Sequence, residues 1–127
     1  MRLLLDTHAL LWSLGDPGKL SMHARKAIEE RENVCLLSVG SLWEIAIKIS
    51  LGKLQMDIPI EAIPAELDRL GVVLLGIDVA HLVVLSKLPF HHRDPFDRLL
   101  ICQSLVDDLH VVSADAVFDR YGVNRIW

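Results

Sequence analysis

The sequence has few cysteines, no long uncharged run, no glycine-rich phosphate loop and no surplus of positive charge. Two cysteines occur in 127 residues, Cys35 and Cys102, each within an apolar stretch. No CxxC pair or regular Cys/His spacing accompanies them, which argues against a zinc site or a disulfide framework. The expectation is two reduced core thiols in a cytoplasmic protein. The longest run without Asp, Glu, Lys or Arg is Asn33 to Trp43, short of the roughly 18 residues that span a bilayer. Asp6 interrupts the apolar run after Arg2, so neither a signal peptide nor a membrane partner is expected. The formal net charge is −4, unlike that of a sequence-blind nucleic-acid coat. It leaves room for a local site acting on nucleic acid. Repeats, low-complexity tracts and Pro/Gly/Ser linkers are absent, so residues 1–127 are expected to form a single domain.

What is present is apolar. Hydrophobic types make up 52% of residues and mean hydropathy is +0.38. A domain this small cannot hide every apolar group itself, so a homodimer is expected. Short apolar runs alternate with amphipathic ones. Strands are expected at Arg2–Asp6, Val34–Ser38, Val72–Ile77 and Leu109–Ser113, with a further short one at Val123–Ile126. Helices are expected over Thr7–Leu14, from Ser21 to about Glu32, from about Gly40 to Leu51, from about Ile60 to Leu70, and from Asp78 to about Leu88. Another opens at Asp94-Pro95, with an acid at the cap and proline in the first turn, and runs to about Asp108. A short helix is expected at Asp115–Arg120. Strands apolar on both faces and separated by helices imply an α/β fold, with a mainly parallel sheet of four to five strands covered on both sides. Ligands of such sheets bind beyond the carboxyl ends of the strands.

Four acids fall near that edge. Asp6 closes the first strand, and Glu44 lies early in the helix after the second. Asp97 sits in the first turn of the Asp94-Pro95 helix, and Asp115 lies just past the fourth strand. Carboxylates gathered there repel by roughly 1 kcal/mol per close pair in water-like surroundings, and by several in a cleft. A divalent cation would offset this, and hard oxygen ligands suit Mg2+ or Mn2+. Each acid also has a local explanation. Ser41-Leu42-Trp43-Glu44 fits a capping box, and Glu44 can pair with Lys48 one turn on. Asp97 complements a helix dipole, and Asp115 can cap its own short helix. Asp6 is the hardest to explain locally, because an acid ending a buried strand is costly without a partner.

The stretches Leu3-Leu4-Leu5-Asp6-Thr7-His8, Ser38-Val39-Gly40-Ser41-Leu42-Trp43-Glu44-Ile45-Ala46-Ile47-Lys48, His92-Arg93-Asp94-Pro95-Phe96-Asp97-Arg98-Leu99-Leu100 and Ser113-Ala114-Asp115 resemble, in order, the motifs of PIN-domain ribonucleases, and more narrowly those of VapC-type toxins of toxin–antitoxin pairs. The likeness covers nearly the whole chain. It implies a three-layer α/β/α sandwich and a Mg2+- or Mn2+-dependent endoribonuclease leaving a 3′-hydroxyl and a 5′-phosphate. Asp6, Glu44, Asp97 and Asp115 match the family's four acids. Asp94 matches a nearby acid of this subgroup and is read as a helix cap. Cys102 and Ser104 stand where the family favours small alanines, a departure that bears on packing more than on chemistry.

In this reading Asp6 and Asp97 are the leading direct ligands. Glu44 binds through water or orients the attacking water, and Asp115 completes the cluster or holds a second ion weakly. Thr7 and Ser113 either bond the acids and their waters or cap local backbone. Arg93 and Arg98, in the most basic stretch of the chain with His91 and His92, either meet RNA phosphates or neutralise the acids. Trp43 is read as core and His8 as a packing residue. The resemblance also implies an antitoxin whose C-terminal segment covers the acidic groove, where an arginine can pair bidentately with carboxylates. The competing reading is a non-catalytic, flavodoxin-like or receiver-type binding module whose acids are only caps. Against it stand the missing phosphate loop and the lack of an acidic pair at the end of the first strand.

Overall fold

A computed structural model describes all 127 residues. Five parallel strands form one sheet in the order β3-β2-β1-β4-β5: β1 (Arg2–Leu5), β2 (Val34–Ser38), β3 (Val73–Leu75), β4 (His110–Val112) and β5 (Arg125–Ile126). Six α-helices connect them: α1 (Thr7–Gly15), α2 (Met22–Glu29), α3 (Val39–Ser50), α4 (Ile63–Leu70), α5 (Val79–Leu85) and α6 (Pro95–Asp107). Short 3-10 turns occupy Pro17–Lys19, Ile60–Ala62 and Ala116–Tyr121. No helix is long and apolar enough to cross a membrane.

The alternation of side chains along a strand divides the core in two. Leu3 and Leu5 of β1, Cys35 and Leu37 of β2, and Val112 of β4 face one side. There they pack with Ala9 and Leu10 of α1, Ala24 and Ala27 of α2, Ile45 of α3, and Ile63 and Leu67 of α4. Leu4, Leu36 and Val111 face the other side, against Leu100, Ile101 and Cys102 of α6 and Phe118 of the last 3-10 turn. The expected three-layer sandwich is what forms. Each fully buried leucine contributes about 1.5–3 kcal/mol. Both cysteines are buried and unpaired.

Several boundaries differ from the sequence reading. α2 ends at Glu29. The helix expected from Ile60 begins as a 3-10 turn and becomes α-helical at Ile63, where Pro64 takes an early position that needs no N–H. α4 ends at Gly71 with a φ of 70°, the left-handed conformation glycine adopts without strain. The segment Asp115–Arg120 is 3-10 rather than α.

The capping box at Ser41 is not formed. Ser38 caps α3 instead, its hydroxyl accepting from Gly40 N–H at 3.0 Å. Ser41 lies buried inside the helix with an unpartnered hydroxyl. Gly40 brings α3 against α6, since a Cβ there would collide with the Leu99 side chain. Asp94 caps α6 as expected, accepting from Phe96 and Asp97 N–H at 2.9 and 3.1 Å.

Candidate active site

The carboxyl ends of β1, β2 and β4 meet the N-termini of α1, α3 and α6, and the acids are set out along this edge. Asp6 directly follows β1. Its N–H donates to Val112 of β4 at 3.1 Å, and its Oδ1 caps α1 by accepting from Ala9 N–H at 2.7 Å. The side chain is buried. Burial pushes its pKa up, and the Glu44 charge adds to this. A Ser113 hydrogen bond, the Ala9 N–H and nearby His8 act in the opposite direction. No lysine or arginine is paired with Asp6.

Asp97, in the first turn of α6, is raised to about 6. Burial is the main cause, followed by the Asp94 charge, and the Asp6 charge acts the same way; His92 opposes them through hydrogen bonding and charge. Asp6 and Asp97 therefore sense each other across the edge, as Asp6 and Glu44 do. Glu44 is buried on α3 and fully engaged. Its Oε1 accepts from Thr7 Oγ1 at 2.6 Å and its Oε2 from Lys48 Nζ at 2.8 Å. The Lys48 pair was legible from the four-residue spacing. The Thr7 bond answers one of the two roles left open for that residue, because Thr7 bridges β1's exit to α3.

Asp115 lies apart from the other three in its contacts. It is exposed and caps the 3-10 turn through Val117 N–H at 2.9 Å, and its charge is felt at Arg125. Ser113 is fully buried between the two settings. It lies close enough to Asp6 to lower its pKa, and its hydroxyl accepts from Asp115 N–H at 3.0 Å. No three His, Cys, Asp or Glu side chains close into a ready-made ligand cage.

Two expectations, those for Arg98 and Trp43, need correction. Arg98 is buried, and its guanidinium donates to the carbonyls of Pro89 and Leu88 and to Tyr121 Oη at 2.8, 3.0 and 3.2 Å. It braces the 88–92 loop, with Phe90 stacked 3.9 Å away, and so is not offered to a phosphate. Trp43 is not core: it is 61% exposed and meets Phe96 edge-on at 5.4 Å. The α3 face that carries it is left open because Gly40 and Ile45 make the inward contacts instead. His8 is exposed, packs tilted against Trp12 at 5.5 Å, and lies near enough to Asp6 to lower its pKa. Arg93 is exposed and free of any carboxylate partner. The sequence reading missed Tyr121 and the His92–Asp97 contact at 3.3 Å. A five-residue separation across a cap and a tyrosine far along the chain carry no periodic signal.

The donor chemistry fits a hard divalent ion. Asp6 and Asp97 are oxygen donors held partly dehydrated, repelling each other and paired with no Lys or Arg. Mg2+ commonly binds through one or two carboxylates while keeping several waters, so a closed protein cage is not required.

A parallel α/β/α domain with acids along the carboxyl edge of its central strands defines the class. The family model described as the PIN domain matches residues 3–124, and the chain belongs to that family. It is 28% identical over 113 residues to Ribonuclease VapC22 of Mycobacterium tuberculosis, covering 88% of this chain and 85% of the relative. Among solved structures it is similar to VapBC-1 from nontypeable Haemophilus influenzae, with a TM-score of 0.70, 16% identity and 98% and 96% of the two chains covered. It is also similar to VapBC2 from Rickettsia felis bound to a DNA fragment from their promoter, with a TM-score of 0.72, 12% identity and 98% and 97% coverage. A third likeness is to FitAcB from Neisseria gonorrhoeae, with a TM-score of 0.60, 16% identity and 97% and 95% coverage.

Proposed function

We propose that this chain is a Mg2+- or Mn2+-dependent endoribonuclease, the cytoplasmic toxin of a toxin–antitoxin pair. The observation that carries the reading is the pair Asp6 and Asp97. They come from the ends of β1 and the start of α6, 91 positions apart in the chain. Asp6 is buried and Asp97 half-buried, and the Asp6 charge adds to the rise in the Asp97 pKa. Crowding two carboxylates with no cation between them costs the fold stability; an ion site offsets it.

Asp6 and Asp97 would hold the ion. When bound, it supplies a water of lowered pKa and stabilises charge on the phosphate and on the leaving oxygen. Glu44 is pinned by Thr7 and Lys48, so its carboxylate is fixed in place to orient water at the edge. Ser113 steadies Asp6. Asp115 stands at the rim, where it can hold a second ion weakly. Exposed Arg93 is the arginine of the basic stretch free to meet an RNA phosphate.

The relationship to VapC22 and the likeness to VapBC complexes support a protein antitoxin as partner. Exposed apolar residues at the sheet edge and on α5, namely Val73, Leu74, Ile77, Val79, Leu82 and Val83, support a homodimer.

The test is cleavage of an RNA by purified protein with Mg2+ or Mn2+ and with chelator. Activity is expected only with metal. Asp6→Asn is expected to fold normally and lose at least about a hundredfold in rate. Cleavage at the wild-type rate by Asp6→Asn, or in chelator, would exclude the assignment.

A further inference from the structure

Tyr121 closes the far end of the 3-10 turn after β4 that Asp115 caps, 24 positions after Asp97. Three N–H groups converge on its phenolic oxygen: His91 N–H at 3.1 Å, His92 N–H at 3.2 Å and Arg98 Nη1 at 3.2 Å. An oxygen receiving three donors has one hydrogen of its own to give. Two acceptors are in reach, His92 Nδ1 at 2.8 Å and the His92 carbonyl at 3.4 Å. The shorter contact is to Nδ1, whose role as donor or acceptor depends on the ring tautomer; in the relay proposed below it takes the proton. Nδ1 of His92 is then an acceptor, and the ring hydrogen must sit on Nε2. That nitrogen lies 3.3 Å from Asp97 Oδ2. The chain of donation runs Tyr121 to His92 to Asp97.

We propose that Tyr121 and His92 form a positioning relay that fixes the Asp97 carboxylate for divalent-metal binding, with Tyr121 setting the His92 tautomer and His92 donating to Oδ2. This rests on the reading of Asp97 as a metal ligand given above. The relay leaves Oδ1 of Asp97 outside the His92 contact, so one oxygen is held and the other is free to ligate. Partners that orient a ligating side chain typically change metal affinity by roughly 10- to 100-fold when removed. The same loop is braced by Arg98 through Leu88 and Pro89, so His92 is carried on a rigid support.

The experiment has two readouts. Nitrogen-15 imidazole spectra of the metal-free protein report the tautomer. His92 is expected to show a protonated Nε2 and an unprotonated Nδ1, and Tyr121→Phe is expected to collapse this into a mixture. Mn2+ binding, followed by electron paramagnetic resonance of free Mn2+, is expected to weaken about tenfold or more in His92→Phe. His92→Gln, whose amide N–H can take the place of Nε2–H, is expected to restore most of it. A proton on Nδ1 of His92, or wild-type Mn2+ affinity in a folded His92→Phe, overturns the relay while leaving the metal site standing. Absence of Mn2+ binding by the wild type overturns the metal site itself, and the relay's purpose with it.

Discussion

α6 carries a histidine–aspartate pair at each end, and the two pairs differ in what surrounds them. At the C-terminal end, His81 of α5 is fully buried, and its Nε2 meets Asp107 Oδ2 at 2.8 Å. Its Nδ1 accepts from Asp78 backbone N–H at 2.9 Å, so the backbone itself fixes the tautomer. The Arg2 guanidinium also bonds the Asp107 carbonyl. Both ring nitrogens are satisfied, and the pair ties α5 to α6. At the N-terminal end, His92 contacts Asp97 at a looser 3.3 Å, and a side chain rather than the backbone fixes its tautomer. Asp97 is raised to about 6 by burial, with Asp94 and Asp6 adding to the rise. One contact type thus serves two ends: where both ring nitrogens are satisfied it ties two helices together, and where Asp94 and Asp6 crowd Asp97 it leaves a charge for something else to neutralise.

The sharpest way to break the comparison is to remove each histidine. His81→Ala is expected to destabilise the fold by about 2–4 kcal/mol, because it opens a cavity and strands the Asp78 N–H. Denaturant unfolding measures this, and RNA cleavage by the folded fraction is expected to persist. A loss of metal binding in folded His81→Ala would erase the distinction between the two ends.

Gly40→Ala is expected to cost about 1–3 kcal/mol by forcing α3 away from Leu99. Because α3 carries Glu44 and α6 carries Asp97, metal affinity should fall together with stability. Urea midpoints and Mn2+ titrations on one preparation check both.

Asp97→Asn is expected to raise the stability of the metal-free protein near neutral pH. The folded carboxyl titrates near 6 against an ordinary 3.8, so between those values the folded state binds more protons than the unfolded state. Stability from this group therefore falls as pH rises through that window. After discount for partial exposure the gain is roughly 1 kcal/mol, or a few degrees in melting temperature. Thermal melts at about pH 4 and pH 7 with chelator should show the gain only at the higher pH. The same acid gains in value once metal is added, so the ranking of wild type and variant is expected to invert in Mn2+.

The layers were legible in the sequence because uninterrupted apolar strands and capped helices carry periodic signals; Asp94-Pro95 located the start of α6 to the residue. Asp6 was legible because an acid ending an apolar strand contradicts its surroundings. Trp43 was misread because α3 is apolar on more than one face, and periodicity alone cannot say which face α6 leaves open. Ser41 was misread because a serine three residues earlier caps equally well, and only the strand's exit direction chooses between them. Arg98 sits in a basic stretch, yet its side chain turns inward to the Leu88 and Pro89 carbonyls, a contact fixed by loop shape. Tyr121 gave no local signal, since its partners lie about 30 residues upstream.

The most direct measurement is anomalous scattering from crystals of the protein soaked in Mn2+. A peak within ligand distance, about 2.0–2.3 Å, of carboxylate oxygens of both Asp6 and Asp97 is expected. Manganese bound elsewhere, with Asp6 and Asp97 unligated at full soak, would contradict the account.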